Sequence, residues 1–262
     1  MHSTRTYQTP AIVIKKTKLG EADRILTLFS PTLGKIQGVA KAVRKPKSKL
    51  SGHLEMLTYS QVTLVRGKSI DTIIGSQTLN AFLAVKNDLD LLSCALYMAE
   101  IVFQFTPAET EDSPIFSLLL HAIEQLPTTS NIDLLLRFFE LHLLGRAGYR
   151  PELGKCVLCS NLLQACTNLF APSAGGILCP SCQRLGKHYS YTISWDGLGI
   201  MRFIQDGDWE SVSVIPVDNT VLCEAERILR SYIRHLLEKD IKSAAWLDSI
   251  KHDNAVIKPT AT

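Results

Sequence analysis

Apolar positions in the first eighty residues fall in short runs rich in β-branched side chains, each closed by turn residues, and the spacing becomes helical from Leu79 onward. Ala11-Ile12-Val13-Ile14, Ile25 to Phe29, Lys35 to Val39, Gln61 to Val65 and Asp71 to Ile74 read as five strands. Turn signals stand at Pro31 to Gly34 and at Arg66 to Ser69. Five strands in about 75 residues suit a small closed barrel. The OB-fold is the five-stranded barrel most used on nucleic acid, and an SH3-like barrel fits the same pattern. Beyond it, Asp90 to Phe105 carries a broad apolar face, Ser113-Pro114 opens a second helix through Leu126, and Asn131 or Asp133 starts a third to Arg146. Short loops make these helices neighbours in a bundle. Ser194 caps a helix through Phe203, Asp206 to Val217 reads as a loop or short irregular piece, and Asn219 to Lys239 reads as a long closing helix. The plan is α+β and multidomain: a barrel over 1–80, a helical domain over 81–250 with a cysteine module at 155–183, and a flexible tail over 251–262.

Charge sharpens this division. The formal net charge is only +3, yet residues 1–80 hold 13 Lys and Arg against 4 Asp and Glu, or +9, which leaves 15 against 21, or −6, for the rest. Between the third and fourth strands, Lys41, Arg44, Lys45, Lys47 and Lys49 place five cations in nine residues with no acid, and Pro46 prevents a regular helix. A cationic loop of this kind attracts a phosphate backbone, because each neutralised phosphate releases condensed counterions. Lys15, Lys16, Arg24 and Lys35 on the flanking strands extend the same surface. Few aromatic residues accompany them, so electrostatic contact with little base reading is expected. A solvated loop is the plainer alternative. No apolar run approaches eighteen residues and the first ten have no signal-peptide character, so a soluble, cytoplasmic protein is expected.

The chemistry-bearing feature lies in the second half. Cys156-Val-Leu-Cys159 and Cys179-Pro-Ser-Cys182 give two C-x2-C pairs, the spacing of a tetrahedral zinc site. Two intervening residues let a tight turn aim both sulfurs at one centre, and Gly175-Gly176 suits a turn that returns the chain to the second pair. Four cysteine ligands leave no open position for water or substrate, so the expected role is structural. Cys94 and Cys223 sit in helical patterns as small apolar residues. Cys166 is a spare thiol or a remote alternative ligand, and His188 a surface histidine or a replacement one.

Gly20-Glu-Ala-Asp-Arg24, the segment Gly34 to Leu50, and Arg137 to Cys182, running through Gly148-Tyr149 into the four-cysteine knuckle, resemble the bacterial RecO family over nearly the whole chain. The resemblance implies an N-terminal OB-fold and a helical domain carrying a zinc module. It implies binding of single- and double-stranded DNA, annealing of complementary strands, and work with RecR to load recombinase onto DNA coated by single-stranded DNA-binding protein, in the cytoplasm at the nucleoid. Some members lack the cysteines, which fits a structural metal.

Annealing needs no nucleophile or general base; it needs two backbones held close, which dense Lys and Arg can screen. The sequence contains no P-loop, no HExxH and no Gly-x-Gly-x-x-Gly after a strand, so no enzyme is expected. Two other readings stand beside the DNA mediator: a zinc-containing protein adaptor without annealing activity, and a zinc-assisted nucleic-acid enzyme, which a closed ligand set disfavours. The resemblance also implies contact with the acidic C-terminal tail of single-stranded DNA-binding protein. Arg137, set among Leu134, Leu135, Leu136, Phe138 and Phe139, and Arg146 at the end of the same helix carry the expected carboxylate-pairing chemistry. Snorkelling to solvent, or pairing with Glu140, is the plainer fate of Arg137.

Overall fold

The structure, a computed structural model, describes residues 5–45, 48, 50–184 and 188–257, with side chains as far as Ile250. These residues form two compact units. One takes in the chain up to Pro127 and again from Lys242; the other is Thr128–Ile241.

The first unit is built on β1 (Thr6–Leu19), β2 (Asp23–Ser30), β3 (Gly34–Ala40), β4 (Tyr59–Val65) and β5 (Asp71–Asn80). They close in the order β1-β2-β3-β5-β4, with β3 and β5 parallel and the other pairs antiparallel. This is the OB-fold. Alternation drives closure: Ala11, Val13, Leu26, Leu28, Val62 and Leu64 are all inaccessible and share one core with Ile36 and Ile73. Gly34, in the left-handed region at φ +61°, makes the β2–β3 turn where a Cβ would strike the Thr110 carbonyl.

Helices α1 (Leu83–Lys86), α2 (Leu89–Phe105) and α3 (Ser113–Gln125) follow. Asp88 caps α2 and Asp112 caps α3 through their side chains. Phe116 of α3 reaches the barrel between Phe29 and Tyr59, with ring centroids 6.0 and 5.8 Å away. The second unit begins with α4 (Ile132–Arg146), capped by Asn131, and continues through the cysteine module. Then come α6 (Trp195–Asp206), capped by Ser194, α7 (Trp209–Ser213) and α8 (Asn219–Leu237). Finally α9 (Lys242–Ile257) returns to the first unit and packs on α2.

Several expectations are corrected here. The helices expected as one bundle fall in both compact units, α2 and α3 in the barrel's and α4 in the other. The interval 206–217 contains α7, which Asp208 caps and which Trp209 and Val212 anchor by burial. Nor does α8 close the chain. The stretch assigned to a tail from 251 continues α9 as far as Ile257, a helix seated by buried Leu247 and Ile250.

Candidate nucleic-acid interface and metal centre

On the barrel, a bulge between Val13 and Lys15 shifts the alternation of β1 by one residue. Beyond it Lys16 stands opposite Leu26 and Lys18 opposite Arg24. Lys16 bridges to Glu55, and the Arg24 guanidinium lies 3.8 Å from the same carboxylate. Lys15 sits over the Phe103 ring, 4.1 Å from its centroid. These side chains line a cavity of about 710 Å³ together with the apolar Leu96, Met56 and Phe103. Lys18 and Lys242, which the sequence pattern does not single out, line the same cavity. Lys18 continues the cationic run of β1; Lys242 is 224 positions further on and only the return of α9 brings it there.

Lys35 has a different task. Its ammonium donates to the carbonyls of Phe103 and Thr106 at 2.7 and 2.6 Å, at the end of α2 where backbone acceptors lack helical partners. In the β3–β4 connection, Lys41, Arg44 and Lys45 are exposed, and Arg44 donates weakly to the Gly20 carbonyl at 3.4 Å. Lys47 and Lys49 lie outside the described residues.

The metal centre is assembled from two turns. In the first, Ser160, at φ +59°, donates its N–H to the Cys156 carbonyl, and the Cys156 N–H donates to the Asn161 carbonyl. In the second, Cys179 stands at the N-cap position of the short α5 (Pro180–Gln183) and its N–H donates to Cys156 Sγ at 3.4 Å. A three-stranded sheet holds the turns together: β6 (Asn168–Ala171) lies between β7 (Gly176–Leu178) and β8 (Tyr191–Ile193). Gly175, at φ +69°, makes the turn into β7. Val157 then donates to the Ile177 carbonyl, which docks the first knuckle on β7.

All four sulfurs lie within 4.8 Å of one another, and Cys159 Sγ is 3.8 Å from Cys179 Sγ. Ligands about 2.3 Å from a tetrahedral zinc stand about 3.8 Å apart, so this donor set fits that ion. Thiol acidity within the group is polarised. Burial raises the Cys156 thiol, but the N–H groups of Cys179, Cys159 and Leu158 outweigh it and bring the pKa down to about 6. Hydrogen bonding to Cys159, then burial, pushes Cys182 up to about 12. Four sulfurs this close need a cation before all can be thiolates. Neither Cys166 nor His188 belongs to the cluster; the His188 ring lies 2.9 Å from the Ser173 hydroxyl.

Arg137 is not at the mouth of a groove. It is wholly buried, its Nη2 donates to Glu140 at 2.7 Å, and Nη1 stands 3.5 Å from Glu226 of α8. The apolar neighbours expected to form a receptor enclose an internal ion pair instead. Arg146, in the last turn of α4, is exposed. Among the described residues, no helix is long and apolar enough to cross a membrane.

A basic OB barrel followed by a four-cysteine group that could hold a metal ion describes a nucleic-acid-handling class of protein. Family models agree on both parts: the N-terminal region of recombination protein O matches residues 1–82 and its C-terminal region matches 86–245. The chain is 45% identical over 254 residues to the DNA repair protein RecO of a Dehalococcoides mccartyi strain, covering 97% of this chain and 100% of that one. Identity is 36% over 247 residues to the RecO of a Roseiflexus species, with 94% and 87% covered. With the RecO of Desulforamulus reducens it is 31% over 250 residues, with 95% and 97% covered. The chain belongs to the RecO family of DNA repair proteins.

Proposed function

We propose that this protein is a recombination-repair mediator that binds single- and double-stranded DNA through its barrel and anneals complementary strands. The observation that carries the reading is the gathering of Lys15, Lys16, Lys18 and Arg24 along β1 and β2, with the exposed Lys41, Arg44 and Lys45 on the adjoining connection. Such a surface screens phosphate repulsion and requires no catalytic group. The metal is zinc, held by Cys156, Cys159, Cys179 and Cys182, and its role is to fix the module's fold. RecR and the tail of single-stranded DNA-binding protein are the protein partners in this reading, recombinase loading is the outcome, and the site of action is the cytoplasmic nucleoid. Arg137 drops out as a tail contact because it is buried, whereas Arg146 keeps the required cation at the surface.

The test is a salt series on DNA binding with Arg44, Lys45, Lys47 and Lys49 changed to Ala. Affinity for all sequences falls together, and the log–log salt slope on duplex drops by about 0.9 for each phosphate that is no longer neutralised. Equal affinity and slope for variant and parent would reduce the segment to a solvated loop and leave the β1–β2 cations as the binding surface, whereas a parent without salt-dependent DNA binding would leave the adaptor reading in its place.

A further inference from the structure

Beyond the barrel, the second unit carries an aromatic surface that neither its packing nor the metal module uses. Tyr189 is 78% exposed, yet it is not loose: its ring meets Tyr191 edge to face, with centroids 5.2 Å apart at 89°. Tyr191 is fixed in turn, because it begins β8, which pairs with β6, and the Arg227 guanidinium lies 5.7 Å from its ring centre. Arg227 is itself positioned by donation to the Thr192 carbonyl at 2.7 Å. Beside these rings lies a cavity of about 230 Å³ with Pro172, Ser173, Arg234 and His235 around it. It is smaller than the roughly 300–1,000 Å³ that drug-sized ligands occupy, and both tyrosines line it.

We propose that this surface is a second nucleic-acid contact, selective for unpaired strands, in which one base stacks on Tyr189 and Tyr191 while Arg227 and Arg234 meet the adjoining phosphates. Stacking on an exposed, braced aromatic ring tolerates any base but needs it free of its partner, so a duplex gains nothing here. Charge selects the occupant. Arg227 and Arg234 are seven residues apart on one face of α8 and flank the rings, with His235 adjacent. Arg234 pairs with Asp240, 2.7 Å from its Nε, with side chains 71% and 77% exposed, while Glu224, one turn before Arg227, is engaged by the Ser194 N–H and hydroxyl. A pair as exposed as Arg234 and Asp240 is weakly held and exchanges readily for a phosphate. The site also depends on the metal module, since β8, which orients Tyr191, belongs to the same sheet as β7, which leads into Cys179.

The proposal rests on the nucleic-acid reading of the barrel, and the experiment separates the two. Full-length Tyr189→Ala, Tyr189→Phe and the quadruple barrel variant are compared with the parent on an oligothymidylate and on a duplex of equal length. A thymidylate carrying one photoreactive 5-iodouracil is also crosslinked to the parent. Tyr189→Ala loses about five-fold or more on the single strand. It keeps parental duplex affinity and metal content, Tyr189→Phe restores binding, and the crosslink maps to Tyr189 or Tyr191. Parental single-strand affinity in Tyr189→Ala, or crosslinks confined to the barrel, would overturn the second contact and leave the barrel reading standing. A parent that binds neither strand form ends both readings, and the tyrosines then belong to a protein interface.

Discussion

Arg137 and Glu140, three residues apart on α4, meet at 2.7 Å with no part of either side chain open to solvent. A buried ion pair adds little over a well-packed apolar pair, but removing one partner strands the other charge in a low-dielectric interior. Arg137→Met therefore lowers the unfolding free energy of the second unit by about 3–5 kcal/mol. Restoring charge balance with a further Glu140→Leu recovers part of it. Urea unfolding of the single and double variants is the measurement; a single variant as stable as the parent contradicts the assignment.

Glu55 restrains two cations of the barrel surface, Lys16 and Arg24. Its side chain is 52% exposed, so neutralising it costs little stability and releases positive charge towards solvent. Glu55→Gln is expected to tighten DNA binding and to steepen its dependence on salt, the reverse of the quadruple loop variant. Fluorescence anisotropy at three or more salt concentrations reads both quantities.

Lys35 predicts a different separation. Because it satisfies two carbonyls at the end of α2, Lys35→Ala costs about 1–2 kcal/mol of stability in the first unit. DNA affinity changes less than it does on loss of Arg44 or Lys45. A large, salt-dependent loss of affinity with unaltered thermal stability would return Lys35 to the binding surface.

For the metal centre, elemental analysis is expected to find one zinc per chain, absent in Cys159→Ser and unaffected in Cys166→Ser. Chelation unfolds the second unit, followed by loss of its tertiary circular dichroism signal. Metal-free parent protein with an intact second unit contradicts a structural role.

His142 gives the pH dependence. Burial pushes its imidazole below the ordinary 6.5, although the Ile204 carbonyl, 3.0 Å from Nε2, favours a proton there. The folded state thus holds the ring neutral while the unfolded chain protonates near 6.5. Its contribution to stability is complete above that pH and is lost as pH falls from 6.5 towards the depressed folded value, with a slope of at most about 1.4 kcal/mol per pH unit. In His142→Gln this component disappears, so the stability difference between parent and variant changes between pH 7 and pH 5. A pH-independent difference would place the ring's protonation elsewhere.

Local signals made much of this legible in the sequence. Short β-branched runs closed by turn residues marked all five barrel strands, and Ser194 and the pair Asn131 or Asp133 marked helix starts, because strand runs and caps depend on residues within a few positions of each other. The two cysteine pairs were readable for the same reason. What could not be read depends on distant partners. Lys35 looked like a surface cation because the carbonyls that engage it lie 68 and 71 residues away. Glu55, 39 residues from Lys16, gave no local sign of its pairing. Arg137 and Glu140 are neighbours on one helix face, but their complete burial is set by the elements around α4, Glu226 of α8 among them. Helix α7 was missed because only Trp209 and Val212 bury along it, too few to set a period.

The return of α9 gives this chain an order of assembly. Lys242 and Ser243 donate their N–H groups to the Glu100 carboxylate, so the first turn of α9 is capped by a side chain of α2. A nascent chain emerging from the ribosome completes its barrel strands early, yet must wait through the whole of residues 128–241 before the last helix of that first unit exists. Until then the α9-facing side of α2 has no cover, and a chaperone meeting the half-made protein would find it there. A nick or premature stop after the cysteine-bearing unit would therefore register as a defect of the barrel's own unit.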